Sequence, residues 1–459
     1  MREDILQAKL DKLKNIRDFG MDAYPEKNER SITNGEALEK FDELGERELT
    51  LVGRVRSFRP MGGSTFAHIE DESGKIQLFL NKNNIDEAKY KLFAKNVELG
   101  DFVQATGTLF KTKQEEKTLQ VSDWKMLAKN MRPIPTEHFG IKDEEEKLRK
   151  RYLDLLANPE TREMFRKKNV FWQTVRKNLV DEGFLEVQTS VFEHTPGGAD
   201  AEPFITHHNA LDQDFYLRIS LELPLKRLLV GGYERVFEIG RVFRNEGMDR
   251  DHLQEFDHME FYWAYADFAK GLEFMEKMFR DITFKVLGGY VHEYEGEKID
   301  WEKKFAVVDY FEALKKETGI DLNEDWTVEA LKKKADELGI KYEAGYSKGR
   351  MIDTLYKRTV RQKLIQPCFL VGHPIEVSPL AKSDPENPKK VLRVQVVAGK
   401  SELCNAFAEL NDPIDQKERF EEQMAAREGG DKEAQMMDED FVEALEIGMP
   451  PAFGFGFSE

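Results

Sequence analysis

Cysteine is nearly absent: Cys368 and Cys404 are the only two in 459 residues. They lie too far apart in sequence for a ligand motif, so neither a disulfide framework nor structural zinc is expected, and a reducing, cytoplasmic compartment fits best. Long apolar runs are missing as well. No stretch approaches the roughly 18 to 20 residues that span a bilayer, and the charged start Met1-Arg2-Glu3-Asp4 lacks the apolar region of a secretory signal. No membrane partner is therefore expected. Internal repeats and long low-complexity tracts are also lacking. Positive charge is in deficit, with 69 Lys and Arg against 87 Asp and Glu and a net charge of −18. That balance argues against a protein that simply coats nucleic acid.

The deficit is uneven. Residues 400–459 hold 5 basic and 16 acidic side chains, whereas residues 49–130 hold 13 basic and 10 acidic. A polyanion would meet a mildly basic N-terminal domain rather than an average surface. The pattern along the chain divides it further. Residues 1–48 read as a helical extension, with Ile5, Leu6, Leu10, Leu13 and Ile16 near helical spacing and Tyr24-Pro25 breaking it. Residues 49–130 show about five short alternating runs, interrupted by one helix near Asp86 to Ala94, which suits a small closed barrel of the OB-fold type. Residues 131–158 form a linker: Met131-Arg132-Pro133-Ile134-Pro135 is stiff, and a charged helix from Asp143 to Leu156 follows. Residues 159–459 make a larger α+β domain with a mainly helical insertion at about 310–361.

The chemistry-bearing block is YERVFEIGRVFRNEGMDRDHLQEFDHMEFYWAYA, residues 233–266. Two strand-like runs flank a polar loop at 247–254. Alternation puts Phe237, Ile239 and Phe243 on one face and Glu238, Arg244 and Glu246 on the other; Phe256, His258, Glu260 and Tyr262 share a face of the second run. Such a hairpin would present an arginine, carboxylates and two aromatic rings on one surface. Spacing alone leaves open a salt-bridged, solvated sheet face.

FRNEG resembles motif 2 of the class II aminoacyl-tRNA synthetases in its lysyl form. The similarity continues collinearly through RPIP, EKLRKRYLDLLANPE, LRISLELPLKRLLVGG and CNAFAELNDP, and the chain is identified as similar to the class II lysyl-tRNA synthetases. That resemblance implies a fold with an N-terminal OB-fold barrel that binds the anticodon and an antiparallel catalytic sheet flanked by helices. It implies ATP and Mg2+ as cofactors, L-lysine and tRNA(Lys) as substrates, and a homodimer. By resemblance, Arg244 stabilises the attacked α-phosphate, Glu246 accepts from the adenine amino group, Phe256 stacks on adenine, and His252 meets the distal phosphates. A fixed guanidinium suits the first role because negative charge grows there in the transition state.

The lysine-contacting positions are Gly198, Glu222, Glu260, Tyr262, Asn405, Phe407 and Glu409; an ammonium removed from water needs carboxylates beside it. Glu402 matches one metal ligand, while Gln395 stands where the family usually has a glutamate, and a neutral amide is a weaker ligand for a hard dication. In the barrel, Phe66 and Gln77 correspond to residues that stack on and read the central anticodon base, with Arg54 placed for phosphate. Three further departures carry expectations. Thr118 stands for a glutamate that helps read the anticodon, so that contact should be absent or replaced. Ser190 stands for a motif 1 proline. PPAFGFGFSE resembles the start of motif 3, whose arginine would follow Glu459; the chain is read as a fragment of a longer frame, impaired in activity, with Phe453, Phe455 and Phe457 uncovered.

Aspartyl and asparaginyl enzymes share the architecture but would be ill served by Glu222 and Glu260. A lysyltransferase acting on a protein usually lacks the barrel. A non-catalytic tRNA-binding or signalling protein of synthetase descent is the alternative of a different class.

Overall fold

In the computed structural model, residues 2–134, 143–247, 253–343, 345–428 and 435–458 are described. The chain divides into two compact units, Met1–Glu163 and Met164–Glu459. The first holds five strands, β1 (Glu48–Met61), β2 (Ser64–Glu70), β3 (Lys75–Asn81), β4 (Phe102–Lys111) and β5 (Lys117–Ala128). They close in the order β1-β2-β3-β5-β4, with β4 returning to β1. Closure leaves no free edge and turns alternate residues inward. Leu51, Val55, Ala67, Ile69, Leu78, Leu80, Val103, Ala105, Leu119 and Val121 fill the interior around Phe93 and Trp124. The helix Glu87–Asn96 plugs the barrel between β3 and β4, capped by the Asp86 side chain accepting from the Lys89 amide. The N-terminal helix Arg2–Asp18 lays Leu13 and Ile16 into the same core. The expected single helix from Asp143 to Leu156 is two, Glu144–Arg149 and Arg151–Ala157, because Lys150 leaves the helical region at φ −117°, ψ 51°.

The second unit is built on a nine-stranded sheet. Eight strands form its main path: β6 (Leu185–Glu186), β7 (Arg235–Phe243), β8 (Glu255–Ala264), β9 (Ala306–Asp309), β10 (Cys368–Val371), β11 (Arg393–Ala398), β12 (Asn405–Ala408) and β13 (Ala452–Ser458). Their order is β9-β10-β11-β12-β13-β8-β7-β6, and the short strand Ser401–Glu402 pairs beside β11. The sheet is mixed: antiparallel through its middle, with parallel pairs β6–β7 and β9–β10 at its ends.

Its two faces differ in what they bury. One carries Phe237, Met259, Phe261, Val394, Val396, Phe453, Phe455 and Phe457 against the helices Phe268–Leu287 and Pro159–Asp181. The other carries Val236, Val242, Tyr262 and Phe407 toward the helix Glu222–Val230 and the residues Phe420 and Phe441. Phe453, Phe455 and Phe457 are thus buried, contrary to the expectation that they would be uncovered. The helix Phe268–Leu287 and the ring of Trp172, stacked 5.8 Å from Phe457, cover them. Between β9 and β10 the chain runs through three helices, Tyr310–Thr318, Val328–Glu337 and Lys348–Thr359, around their own apolar cluster.

Candidate active site

The face carrying Tyr262 and Phe407 opens into a cleft of about 360 Å³. Gly198, Ser220, Glu222, Arg244, His258, Glu260, Tyr262, Asn405 and Phe407 line it. Strand alternation puts them there: β8 contributes His258, Glu260 and Tyr262 at every second position, and β13 lies directly against β8. The β13 residues opposite Glu260 and Tyr262 are Gly456 and Gly454. A Cβ at Gly454 would stand 1.9 Å from Glu409 Oε1 and 2.5 Å from Tyr262, so bare backbone is required for both side chains to reach the cleft. Gly198 is constrained twice, by φ +84° and by a Cβ position 2.8 Å from Glu222 Cβ.

Three carboxylates converge here, and their environments differ. Glu260 is saturated. Its Oε1 accepts from Ser220 Oγ at 2.6 Å and the Leu221 amide at 2.8 Å, with His258 Nε2 at 3.1 Å, and its Oε2 accepts from Tyr262 Oη at 2.8 Å. Burial alone would raise its pKa, but these donors hold it below the ordinary carboxylate value. Glu222 and Glu409 are less well supplied. Burial raises the pKa of both, Glu222 to about 7 and Glu409 well above the ordinary carboxylate value, with Lys226 opposing. Glu409 is buried, and its Oε1 has no hydrogen-bond partner among the described residues. An unmet buried acceptor beside an open cleft is a place for a donor from a ligand. Asn405 is oriented by Arg393, whose Nε donates to its Oδ1 at 2.7 Å.

Arg244 follows β7 at the mouth of the cleft. Its Nε donates to the Ile219 carbonyl at 3.2 Å and its guanidinium lies 5.2 Å from the centre of the Phe256 ring. Glu246 is close enough to act on its charge. His252 lies outside the described residues. Glu238 is on the face that alternation gives it, opposite Glu260 in register, but it is buried there, bonded by Arg218 Nη1 at 2.6 Å and by the Thr189 amide and hydroxyl, so it braces the sheet instead of lining the cleft.

Residues 143–458 match the family model of tRNA synthetases class II (D, K and N), and residues 49–127 match that of an OB-fold nucleic acid binding domain. The chain belongs to the class II tRNA synthetases. Relatives named lysine–tRNA ligase include those of Bacillus subtilis (strain 168), 42% identical over 99% of this chain and 92% of its own length, and of Latilactobacillus sakei subsp. sakei, 44% identical over 99% and 91%.

The synthetase does not offer the two-carboxylate metal cradle that its family implies. Gln395 Nε2 donates to Glu402 Oε2 at 3.2 Å, so its Oε1 faces His373 and accepts from Nε2 at 3.1 Å. Arg361 Nη1 lies 3.3 Å from the remaining Glu402 oxygen. The amide and Arg361 therefore occupy both oxygens of Glu402. Among the described residues no group of three His, Cys, Asp or Glu side chains is placed to hold a metal ion. Gln395→Glu is expected to tighten Mn2+ binding in the presence of ATP by about 10- to 100-fold, read by electron paramagnetic resonance. Equal affinity in the two proteins would mean that position 395 does not limit metal binding.

In the barrel of the synthetase, Phe66 and Phe79 project outward with ring centres 4.8 Å apart, and Phe79 lies 5.9 Å from Phe110. Gln77 lies two residues before Phe79 on β3. Its Oε1 accepts from Thr118 and its Nε2 donates to Glu116 Oε2 at 2.7 Å; Glu116 also bonds His68. The contact expected to be absent or replaced at Thr118 is thus replaced by a carboxylate two residues earlier, just before β5 and on the side of the strand that Thr118 faces. Arg54 is not part of this cluster. It pairs in register with Glu70, four residues along β2 from Phe66, and stacks on Phe102 at 4.2 Å. Arg59 is the β1 residue opposite Phe66. Ser190, in place of a proline, closes its turn through its hydroxyl, which donates to the Phe192 carbonyl at 2.7 Å.

Proposed function

We propose that the synthetase is a lysine–tRNA ligase. A carboxylate oxygen of L-lysine attacks the α-phosphorus of ATP, the bond to the β-phosphate oxygen breaks, and lysyl-adenylate and pyrophosphate form. A tRNA(Lys) ribose hydroxyl then attacks the activated carbonyl, loses its proton, and AMP leaves. The observation that carries the lysine assignment is the buried pair Glu222, which lines the cleft, and Glu409, whose unmet Oε1 lies against Gly454 of the lining. A substrate carboxylate would be repelled there and an amide would leave a charge unpaired.

Glu260, Tyr262, Asn405 and Gly198 fix the backbone end of the amino acid, and Phe407 packs on its aliphatic stem. Arg244 is the catalytic cation: anchored on Ile219 and Phe256, it meets the charge that develops on the α-phosphate without first reorganising. Phe256 offers its ring to adenine and Glu246 its carboxylate to the adenine amino group. By resemblance, His252 faces the distal phosphates. Phe66, Phe79 and Gln77 make the barrel face an anticodon platform, since unpaired bases stack on aromatic rings and are read on their edges. The exposed apolar side chains Leu185, Val191 and Phe192 near motif 1 support a homodimer. Among the described residues no helix is long and apolar enough to cross a membrane, and two buried free cysteines agree with a cytoplasmic setting.

Amino-acid-dependent ATP–pyrophosphate exchange tests the assignment. Lysine is expected to support exchange at least about 10³-fold better than aspartate or asparagine, because either substitute leaves buried polar groups unpaired. Preferential exchange with aspartate would sink the reading.

A further inference from the structure

Lys226 stands out among the residues near the cleft because its ammonium is fully buried. It sits one turn after Glu222 on the helix Glu222–Val230 and bonds Glu222 Oε1 at 2.6 Å. On its other side it forms an ion pair with Glu409. The rings of Tyr262, Phe407 and Phe441 surround it at 5.8, 5.4 and 5.8 Å. Aromatic faces and carboxylates are the two environments in which a desolvated ammonium is stable. The protein therefore already keeps one lysine side chain in a cage built from Glu222, Tyr262 and Phe407, which line the cleft, and from the buried Glu409 behind them.

The charges facing this region can be counted. Glu260 is saturated by Ser220, Leu221, His258 and Tyr262. Arg393 is held by Asn405, the Val377 carbonyl and Ser378. Arg244 is anchored on Ile219. Asp200 and Glu402 also line the cleft, Glu402 being taken up by Gln395 and Arg361; the charges that pair directly with one another around Lys226 are Glu222 and Glu409. We infer that Lys226 is a specificity-determining positioning residue: by neutralising one of the two carboxylates it sets the pocket's capacity at a single additional ammonium and holds both acids at the spacing that receives it. The inference rests on the lysine reading above.

Removing the resident charge while keeping volume, Lys226→Met, leaves two neighbouring carboxylates for one incoming ammonium. They then share a proton at neutral pH, and the ligand must displace it. The groups that set this behaviour are Glu222, Glu260, Glu409, Tyr262, His258 and Arg393. Lysine affinity by titration calorimetry at pH 7 is expected to fall at least about 30-fold in Lys226→Met, and its rise with pH is expected to continue to a higher pH than in the parent protein. The double variant Glu222→Gln with Lys226→Met restores one carboxylate for one ammonium. It is expected to bind lysine at least about 10-fold more tightly than Lys226→Met, and its neutral pair keeps the test open if the single variant does not fold. A Lys226→Met protein that loses only thermal stability, with parental affinity and pH profile, would overturn the inference. So would a double variant that folds and binds no better than the single. If the parent chain itself binds no lysine, the substrate reading falls, and this inference with it.

Discussion

Replacing Arg244 by alanine is expected to lower the rate of lysine-dependent pyrophosphate exchange by roughly 10²- to 10³-fold while changing the KM for lysine little. The reason lies in timing. Lysine binds through carboxylates on β8 and the helix Glu222–Val230, whereas Arg244 meets charge that exists only as the α-phosphate is attacked. An interaction made only in the transition state appears in kcat and in kcat/KM equally. Loss of one preorganised donor to such a charge costs about 3 to 4 kcal/mol. Arg244→Lys should recover only part of the rate. An ammonium cannot reproduce both the ring contact with Phe256 and the bond to the Ile219 carbonyl. A rate unchanged in Arg244→Ala, or a defect confined to KM, would remove Arg244 from the catalytic role.

Glu409→Gln should act on the other side of the reaction. Truncating one partner of a buried charged pair costs about 2 to 5 kcal/mol, equivalent to roughly 30- to 5000-fold in lysine affinity. kcat at saturating lysine should stay within a few-fold of the parent. The effect also has a pH signature. Burial raises Glu222 to about 7 and lifts Glu409 well above the ordinary carboxylate value, so both have folded pKa values above their unfolded ones. Such groups favour the fold while protonated, and that contribution is lost as pH rises through the folded value. The ligand-free protein is therefore expected to lose stability as pH climbs from about 4.5 toward 7 and beyond. Stabilisation by lysine should grow over the same window, since the ammonium binds the ionised acids. Thermal shifts with and without lysine at several pH values measure both trends. Glu409→Gln should flatten them, leaving the part that belongs to Glu222. A lysine-induced shift independent of pH would contradict the assignment of these carboxylates.

How much of this could be read in the sequence depended on periodicity. The barrel strands alternate clearly, and the hairpin of β7 and β8 follows the predicted faces at Phe237, His258, Glu260 and Tyr262. Glu238 keeps its face, opposite Glu260, yet does not reach the cleft. Alternation placed it beside Arg244, but Arg218, from a segment outside the hairpin, draws it into a buried ion pair. Lys226 was passed over for a similar reason. In LPLKRLLV it reads as a solvated residue between leucines, and only the fold brings Glu409, Tyr262 and Phe407 around it. Its one local signal was the spacing of four from Glu222, which puts both on one helix face. Glu116 was missed because the register of the β4–β5 hairpin decides its reach to Gln77. The split of the charged helix at Lys150 had no sequence signal, since neither glycine nor proline marks it.

Strand β13 carries two opposite requirements in AFGFGFS. Its odd positions are phenylalanines sunk in the core, and between them Gly454 and Gly456 lack the side chains that would crowd Glu409, Tyr262 and Glu260. Tolerance to substitution along this segment should therefore oscillate with a period of two residues, and for different causes. At 453, 455 and 457 smaller residues leave voids and lower yield and melting temperature. At 454 and 456 larger residues jam the amino-acid binding surface, and the defect should lie chiefly in substrate affinity. A single stretch of seven residues thus separates variants that lack a fold from variants that have a fold and lack a ligand.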